Sequence, residues 1–381
     1  MMRCVLVGAG MMIQTAGFME SLDELKGLAS SCDLETVQIF TQQFKKPDPA
    51  VYIGSGKVHE IALYTEENDI DVVIFNNTLS PLQISNLSDR IGARILDRTG
   101  LILDIFEKRA RTSEARMQVE YARLKYMLPR LEGMRKNLSR QGGAGGSMSN
   151  KGSGESQIEL DKRIIGRRMS MLKKRLAEIE KNRSVMRDKR IKNNIKTAAL
   201  VGYTNAGKST LMNALVKRYG NGDKVYTEDK LFATLDTTVR KLRIPYGNLN
   251  EQYRSMQILL SDTVGFISDI PHDLINAFRS TLEEAVMADV LLNVVDVSSP
   301  DHAMHTEVTL KTLAEIGAGA IPVITVMNKC DASGIETGIR PGDDNRIYIS
   351  AGRGEGIEDL ASMLTENLFR ENDPYSVENC L

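Results

Sequence analysis

The stretch "GYTNAGKST", Gly202–Thr210, decides how the second half of the chain is expected to fold. It has the form G-x-x-x-x-G-K-S, follows the apolar run "KTAALV" and opens a segment of helical length. In this context the glycines free backbone N–H groups to wrap phosphates, and the helix N-terminus adds the positive end of its dipole. The stretch predicts a phosphate-binding loop between a strand and a helix of a doubly wound α/β domain.

The side chains of this loop have separate expected roles. Lys208 is expected to bridge the β- and γ-phosphates of a nucleotide, and Ser209 to bind Mg²⁺. We expect nucleotide contacts along the whole loop, from Gly202, Tyr203, Thr204, Asn205, Ala206, Gly207, Lys208, Ser209 and Thr210.

A second motif, "SDTVGF", ends the next long apolar run. Asp262 is placed to hold Mg²⁺ through a water molecule, and Gly265 to offer its N–H to the γ-phosphate. The following residue is Phe266, at a position where many GTPases carry a glutamine that orients the attacking water. We therefore assign no certain catalytic residue beyond phosphate stabilisation by Lys208 and Gly265, and expect slow hydrolysis without a partner.

The base-recognition motif is "NKCD", which follows the apolar run "IPVITVM". Asp331 can accept hydrogen bonds from the N1–H and exocyclic amine of guanine, Asn328 supports the loop, and the stem of Lys329 covers the ring. "SA", Ser350 and Ala351, offers a backbone N–H to the guanine O6. Adenine would leave the carboxylate unpaired, so the motif predicts guanine.

A switch loop is expected between the first two motifs, in "LFATLDTTVR". Thr234 is the favoured Mg²⁺ ligand, with Thr237 and Thr238 as weaker candidates that are better explained as ordinary loop threonines. Phe232 is included among the nucleotide-contacting residues.

The first half of the chain has a different pattern. Residues 1–104 alternate apolar runs with helical lengths, including helices near 17–30 and 56–68, which is typical of an α/β layer. Residues 105–195 are expected to form an antiparallel helical hairpin, with helices over 105–139 and 156–194. The apolar seam is formed by Met117, Tyr121, Leu124, Leu128, Leu131, Met134 and Leu138, and by Ile165, Met169, Leu172, Leu176, Ile179 and Met186.

Two local features modify this hairpin. Pro129 is expected to kink or loosen the first helix. The Gly/Ser-rich stretch 140–157 forms the tip, and we expect it to be disordered when free and to order on binding. The GTPase domain is expected over 196–371, with a short tail over 372–381.

The charge is concentrated in the hairpin. Residues 107–196 carry 25 Lys and Arg against 10 Asp and Glu, although the whole chain has a net charge of -1. This asymmetry favours a polyanionic partner, and the alternative is a solvated helical pair. RNA-binding candidates at the tip are Arg140, Gly143, Gly145, Lys151, Gly152, Gly154, Glu155 and Gln157.

The bulk composition indicates a globular cytoplasmic protein. The four cysteines show no CxxC pair or metal spacing, which argues against a disulfide framework and a zinc site. No apolar run has the length of a membrane span. We expect a monomer when the protein is free.

The motifs together resemble the HflX family of translational GTPases over nearly the whole chain. The resemblance is carried by "VYIGSGKVHEI", "ILDRTGLILDIFEKRARTSEARMQVEYARLKYMLPRL", "KGSGESQIELDKRII", "GYTNAGKSTLMNAL" and "DTVGFISDIPHDLINAFRSTLEEA". It implies a GTPase, with ATP hydrolysis in some members, that binds the large ribosomal subunit and splits stalled ribosomes. It also implies that the hairpin tip reaches rRNA at the peptidyl transferase centre.

The chain departs from the family pattern at two positions, in the length of the tip and at its C-terminal end. Ser153 and Thr237 stand where the family usually has proline, and the tip is about four residues longer than the common form. The chain ends about thirty residues after "SA", so we expect the additional C-terminal domain of many members to be absent. Alternative functions are a GTPase switch in tRNA modification, or one that signals to a protein partner.

Overall fold

The computed structural model of the protein describes the backbone of residues 2–141, 151–192, 195–220, 238–246, 254–267, 279–343 and 345–369. Side chains are described for these residues except 132–141, 151–158, 186–192, 246, 254–255, 279–281 and 369. The chain divides into two compact units, and the boundary between them falls inside a long helix, between Ile179 and Glu180.

The first unit contains a four-stranded parallel sheet with the strand order β2-β1-β3-β4. Its strands are β1 (Met2–Gly10), β2 (Leu34–Gln43), β3 (Val72–Phe75) and β4 (Arg94–Asp97). The four residues of β3, "VVIF", are all fully buried. A parallel strand covered on both faces shows this continuous apolar run rather than an alternation.

Four helices accompany this sheet: α1 (Ala16–Ser31), α2 (Ser55–Glu67), α3 (Pro81–Ile91) and α4 (Arg98–Arg109). Helix α3 starts with a capping box, in which Ser80 and Gln83 satisfy each other's backbone N–H groups. The expected α/β layer is confirmed, and α1 and α2 lie within one residue of the helices that the sequence predicts.

The hairpin consists of α5 (Ser113–Gln141) and α6 (Lys151–Lys192). The predicted helix over 105–139 is wrong at its start, because α4 ends at Arg109 and Ala110 is extended, with φ -64° and ψ 107°. The hydroxyl of Thr112 then accepts a hydrogen bond from the N–H of Ala115 at 3.1 Å. This local side-chain bond starts a new helix, and apolar spacing cannot reveal it.

The predicted seam is at least partly buried wherever its side chains are described, and Leu172 is fully buried. Arg168 of α6 bonds both carboxylate oxygens of Glu120 on α5, at 2.6 and 2.7 Å, which ties the two helices together. Helix α5 continues through Pro129. The seam side chains of Met134, Leu138 and Met186 lie outside the described set.

The predicted disordered tip over 140–157 is wrong at both of its ends. Helix α5 runs to Gln141 and α6 begins at Lys151, while 142–150 lie outside the described residues. Helix α6 is 42 residues long, and a helix that already exists adds residues without a new nucleation step. Residues with poor helix propensity, such as Gly152 and Gly154, are therefore included.

The second unit contains a six-stranded sheet with the order β10-β9-β8-β5-β7-β6. Its strands are β5 (Lys196–Val201), β6 (Thr238–Tyr246), β7 (Arg254–Asp262), β8 (Val290–Asp296), β9 (Val323–Asn328) and β10 (Arg346–Tyr348). All neighbours are parallel except β6, which runs antiparallel to β7 at the sheet edge.

The described helices of this unit are α7 (Lys208–Tyr219), α8 (Arg279–Val286), α9 (His302–Glu315), α10 (Cys330–Ser333) and α11 (Ile357–Phe369). Because β5, β7, β8 and β9 are parallel, their carboxyl ends lie along one edge of the sheet. Ligands of doubly wound sheets bind outside this edge. Across the described residues of both units, no helix has the length and apolar character needed to cross a membrane.

Candidate nucleotide-binding site

The loop between β5 and α7 requires glycine at both of its ends. Gly202 has φ 137° and Gly207 has φ 95°, conformations that side chains disfavour. A Cβ atom on Gly202 would lie 2.3 Å from the carbonyl oxygen of Val294, and one on Gly207 would lie 2.3 Å from Nδ2 of Asn328. The loop therefore packs directly on β8 and on the end of β9.

Lys208 is the first residue of α7, and its side chain is buried inside the loop. Its Nζ donates hydrogen bonds to the carbonyl oxygens of Tyr203 at 2.7 Å and of Gly202 at 3.1 Å. Burial lowers the pKa of Lys208 to about 8, although the nearby Asp262 carboxylate opposes the shift. The ammonium group is thus held inside the backbone arch that would surround a phosphate.

Ser209 and Asp262 bring two oxygen donors together. The hydroxyl of Ser209 donates a 2.6 Å hydrogen bond to Oδ2 of Asp262, which ends β7 and is fully buried. A hydroxyl and a carboxylate are ligands that suit Mg²⁺, which typically takes one or two protein oxygens together with water and substrate phosphates. The residues present fit this ion.

The "DTVGF" segment is joined to the phosphate-binding loop by backbone hydrogen bonds. The N–H of Thr204 donates to the carbonyl oxygen of Phe266 at 2.7 Å, and the N–H of Phe266 donates to that of Gly202 at 3.1 Å. A Cβ atom on Gly265 would lie 2.8 Å from Nζ of Lys208. The ring of Phe266 is buried, so this residue contributes packing at the position where other GTPases place a polar group.

Asn328, at the end of β9, connects the base motif to the phosphate loop. Its Nδ2 donates to the carbonyl oxygen of Ala206 at 2.9 Å, and its Oδ1 accepts from the N–H of Ala351 at 3.0 Å. The side chain is buried, so both bonds are shielded from water. One amide side chain therefore fixes the spacing between three segments that are far apart in sequence.

Asp331 lies in α10, three residues after Asn328, and its side chain is partly exposed. Its Oδ1 accepts a 2.7 Å hydrogen bond from the hydroxyl of Ser350, and Nε of Arg353 lies 3.8 Å from its Oδ2. The Ser350 hydrogen bond is the main reason why the pKa of Asp331 is lowered. The carboxylate is kept ionised and is a hydrogen-bond acceptor only.

Three contacts of the site are not predicted from the sequence. Nζ of Lys329 lies 2.7 Å from Oδ2 of Asp296, the last residue of β8. The ring of Tyr203 stacks on His305 of α9, with ring centroids 3.9 Å apart. The third is the approach of Arg353 to Asp331. Asp296 could have been found, because it ends a strand at the same edge of the sheet, whereas the sequence gives no signal for the His305 stack.

Several predicted positions lie outside the described residues or side chains. Phe232, Thr234 and Thr237 are outside the described residues, and Thr238 begins β6 opposite Asp262 in the strand register. At the tip, Gly143 and Gly145 are outside the described residues. The remaining tip candidates lie in α5 and α6, where side chains are not described: Arg140, Lys151, Gly152, Gly154, Glu155 and Gln157.

Comparisons with known proteins match both units. Three family models cover the chain: "GTP-binding GTPase N-terminal" over 19–107, "GTP-binding GTPase Middle Region" over 109–190, and "50S ribosome-binding GTPase" over 197–329. A GTPase HflX of Caldanaerobacter subterraneus is 46% identical over 94% of this chain and 79% of the relative. A GTPase HflX of Escherichia coli is 42% identical over 93% and 80%.

A solved structure described as the SsGBP and GDP complex is 25% identical and covers 97% of this chain and 99% of its own, with a TM-score of 0.51. The matched family model and the relatives show that this fold, with the Gly202–Thr210 loop and Asp262 at its strand ends, is that of a GTP-binding and GTP-hydrolysing P-loop GTPase. The identity to curated relatives over most of both chains is specific enough to name the family. The chain belongs to the HflX family of GTPases.

Proposed function

We propose that this GTPase acts as a monomer in the cytoplasm, binds the large ribosomal subunit and splits or rescues ribosomes under stress. The observation that supports the proposal best is the hairpin, which carries 25 basic and 10 acidic residues over 107–196 in a chain that is otherwise acidic. Ribosomal RNA is the polyanion that such a surface would attract by releasing counterions. The description "50S ribosome-binding GTPase" of the matched model agrees with this partner.

In the proposed site, the loop from Gly202 to Thr210 surrounds the phosphates, and Lys208 neutralises charge on the β- and γ-phosphates. Ser209 would bind Mg²⁺ directly and Asp262 through water, and the ion supplies further charge neutralisation when it is bound. Switch-loop contacts from Phe232 and Thr234 complete this part of the proposal. The described residues of this proposed set lie at the strand ends of one sheet.

Guanine recognition is proposed for Asp331, with Asn328, Lys329, Ser350 and Ala351 shaping the pocket. The Asp331 carboxylate is ionised and already oriented by Ser350, so it offers two acceptors to the N1–H and amine of guanine. Asp331→Asn is expected to weaken GTP binding and to admit xanthosine triphosphate, measured by competition for a fluorescent nucleotide. An unchanged preference for GTP would show that another group reads the base.

Hydrolysis is proposed to be slow in the free protein. Phe266 offers no polar group to orient water, and its backbone is bonded to the phosphate loop. Acceleration then has to come from a partner that orders the switch residues, as in GTPases that depend on an activating protein. The large subunit is the proposed partner.

The decisive experiment measures GTP turnover with and without purified large subunits, together with sedimentation of intact ribosomes. We expect faster turnover with subunits, and subunit separation with GTP or a non-hydrolysable analogue. If neither turnover nor sedimentation responds, the ribosomal function fails and the GTPase activity stands. A role in tRNA modification or protein signalling would then be tested next.

The contribution of the hairpin tip is tested by deleting 143–152. We propose that the tip probes rRNA near the peptidyl transferase centre through Arg140, Lys151, Glu155, Gln157 and its glycines. The deletion is expected to leave basal turnover unchanged and to abolish stimulation by subunits. Full stimulation of the deletion variant would make the tip a connecting loop only.

A further inference from the structure

Asp296 is the last residue of β8 and lies between the two halves of the proposed nucleotide site. In the sheet, β8 is paired with β5, which leads into the Gly202–Thr210 loop, and with β9, which leads into the base motif. Asp296 is opposite Asn328 in the strand register, and the N–H of Val297 donates to the carbonyl oxygen of Asn328 at 3.0 Å. The Asp296 carboxylate therefore lies at the edge where ligands of doubly wound sheets bind, beside the motif assigned to guanine.

The two carboxylate oxygens of Asp296 have separate partners. Oδ1 accepts hydrogen bonds from the N–H of Ser298 at 3.0 Å and from the hydroxyl of Ser298 at 2.5 Å, which orients the carboxylate. Oδ2 lies 2.7 Å from Nζ of Lys329. One oxygen thus holds the aspartate side chain in place, and the other binds the lysine ammonium.

The backbone at Lys329 is fixed by contacts other than those of its side chain. Lys329 has φ 65° and ψ 34°, a left-handed conformation that residues with a side chain seldom adopt. Its carbonyl oxygen accepts a hydrogen bond from the N–H of Ala332 at 3.0 Å, at the start of α10. Because β8 lies between β9 and β5, a lysine stem held at Asp296 extends from the base motif towards the Gly202–Thr210 loop. A bound nucleotide would run in this direction from its base to its phosphates.

The ion pair between Asp296 and Lys329 is suited to ordering the site rather than to stabilising the fold. The side chains of Lys329 and Asp296 are 31% and 19% exposed, and partly exposed ion pairs contribute little to stability. An untethered lysine stem has several rotatable bonds, whose freedom is lost when the stem orders against a ligand. The pKa of Asp331 is lowered mainly by the Ser350 hydrogen bond and to a smaller extent by the charge of Lys329. An ammonium released from Asp296 would be drawn further towards the carboxylate that is assigned to the base.

We propose that Asp296 is a positioning residue for guanine recognition. Its carboxylate holds the ammonium of Lys329 at the end of β8, so that the stem is already extended where it covers the base and does not compete for Asp331. The inference rests on the proposed guanine site and adds to it a residue outside the "NKCD" and "SA" motifs. Ordering the stem in advance lowers the entropy cost of ordering it in the complex. Asp296 therefore raises the affinity for GTP and GDP alike, because both carry the same base.

The test replaces Asp296 by asparagine, which is similar in size, can still accept from Ser298 and lacks the charge. We expect GTP and GDP to bind about five- to tenfold more weakly, measured by titration with fluorescent analogues of both. Single-turnover hydrolysis at saturating GTP is expected to stay within about twofold of wild type, since the phosphate contacts are unchanged. The matched control is Asp343→Asn, which breaks a partly exposed ion pair with Arg346 at the start of β10 and is expected to bind both nucleotides like wild type.

A double-mutant cycle with Lys329→Met separates positioning from a general effect on the fold. Methionine keeps an unbranched stem but has no ammonium, so Asp296→Asn is expected to change GTP affinity by less than about twofold in this background. An equal loss of affinity in both backgrounds overturns the proposal, because Asp296 would then act without Lys329. Unchanged affinity of Asp296→Asn alone overturns it as well. Asp296→Ser also lacks the charge and provides the same test if the asparagine variant does not fold.

Failure of the guanine site itself gives a different result. If Asp331→Asn leaves the preference for GTP unchanged, guanine recognition by this motif is wrong, and the positioning role of Asp296 is wrong with it. If Asp331→Asn changes the preference while Asp296→Asn binds like wild type, only the positioning role is wrong. Weaker binding by both variants, with the effect of Asp296→Asn removed by Lys329→Met, supports the proposal.

Discussion

Each unit of the molecule has a buried aspartate at the carboxyl end of a parallel strand, and the two aspartates have different surroundings. Asp97 ends β4 and accepts hydrogen bonds from the N–H groups of Leu79 and Gly100, from Oη of Tyr126 and from Nη2 of Arg130. Asp262 ends β7 and accepts from the hydroxyl of Ser209, beside the buried ammonium of Lys208.

The difference shows that a strand-end carboxylate is not by itself a ligand site. Two of the four donors to Asp97, Tyr126 and Arg130, come from α5, so this carboxylate anchors the hairpin to the first sheet. Burial raises the pKa of Tyr126, so its hydroxyl remains a donor at neutral pH, and burial lowers the pKa of the Arg130 guanidinium. The donor to Asp262 is a hydroxyl that also suits a metal ion.

The largest expected effect tests whether the surroundings of Asp262, with the buried Lys208, form a ligand site. Lys208→Met is expected to lower GTP affinity by at least about 100-fold, because a charge-assisted contact to phosphate is lost inside a buried site. Titration with a fluorescent GTP analogue measures it. Lys217→Met, an exposed lysine of the same helix, is the matched control. Equal affinities of the two variants would contradict the assigned role of Lys208.

The second-largest expected effect tests whether Asp97 anchors the hairpin to the first sheet. Asp97→Asn is expected to lower the free energy of unfolding of the first unit by about 3 kcal/mol, because Arg130 loses its buried counter-charge. Urea unfolding followed by circular dichroism measures it, with the exposed Asp89→Asn as control. GTP affinity is expected to stay within about twofold of wild type. If Asp97→Asn were as stable as wild type but bound GTP more weakly, Asp97 would be part of a ligand site and not an anchor.

Replacing Asp262 by asparagine should instead affect GTP hydrolysis more than stability. Asp262→Asn is expected to reduce Mg²⁺-dependent GTP hydrolysis about tenfold or more, because a neutral amide holds a Mg²⁺-bound water molecule less strongly than a carboxylate does. The free energy of unfolding should fall by about 1 kcal/mol, less than for Asp97→Asn. The amide oxygen still accepts from Ser209 and Lys208 keeps its two hydrogen bonds to backbone carbonyl oxygens, although its ammonium loses the attraction of a nearby carboxylate. Hydrolysis assays over a Mg²⁺ titration decide this, and a large loss of stability with normal turnover would make Asp262 structural.

The smallest effect concerns the stability of the nucleotide-free protein. The pKa of Lys208 is about 8 in the fold against an ordinary value of 10.5, so folding disfavours its charged form. Below pH 8 the lysine is charged in both states, and Lys208→Met is expected to be more stable than wild type by about 1 kcal/mol after its two hydrogen bonds are lost. Between about pH 8 and 10.5 the unfolded chain binds more protons, so the wild type gains stability and the difference shrinks. Urea unfolding at pH 7 and pH 9.5 checks the sign, and a constant difference would contradict it.

Much of the second unit is predictable from the sequence because each motif follows an apolar run. Parallel strands place Gly202, Asp262 and Asn328 at one edge of the sheet, whatever the packing of the helices. The break at Ala110 is not predictable, since the segment 107–116, "EKRARTSEAR", contains no glycine or proline that would mark the end of a helix. The stack of Tyr203 on His305 depends on how α9 is rotated against the sheet, which local sequence does not determine.

The sequence by itself determined the loop between β5 and α7, the order of the motifs that follow the strands of the second unit, and the two apolar seams of the hairpin. These features depend on spacing along one segment, through backbone geometry and helical periodicity. Only the tertiary structure decided that Asp97 is an anchor, because its four donors come from three separate segments of the chain. The same packing exposes Arg163, Arg167 and Lys174 while it pairs Arg168 with Glu120, since the face of α6 that meets α5 is chosen by the seam.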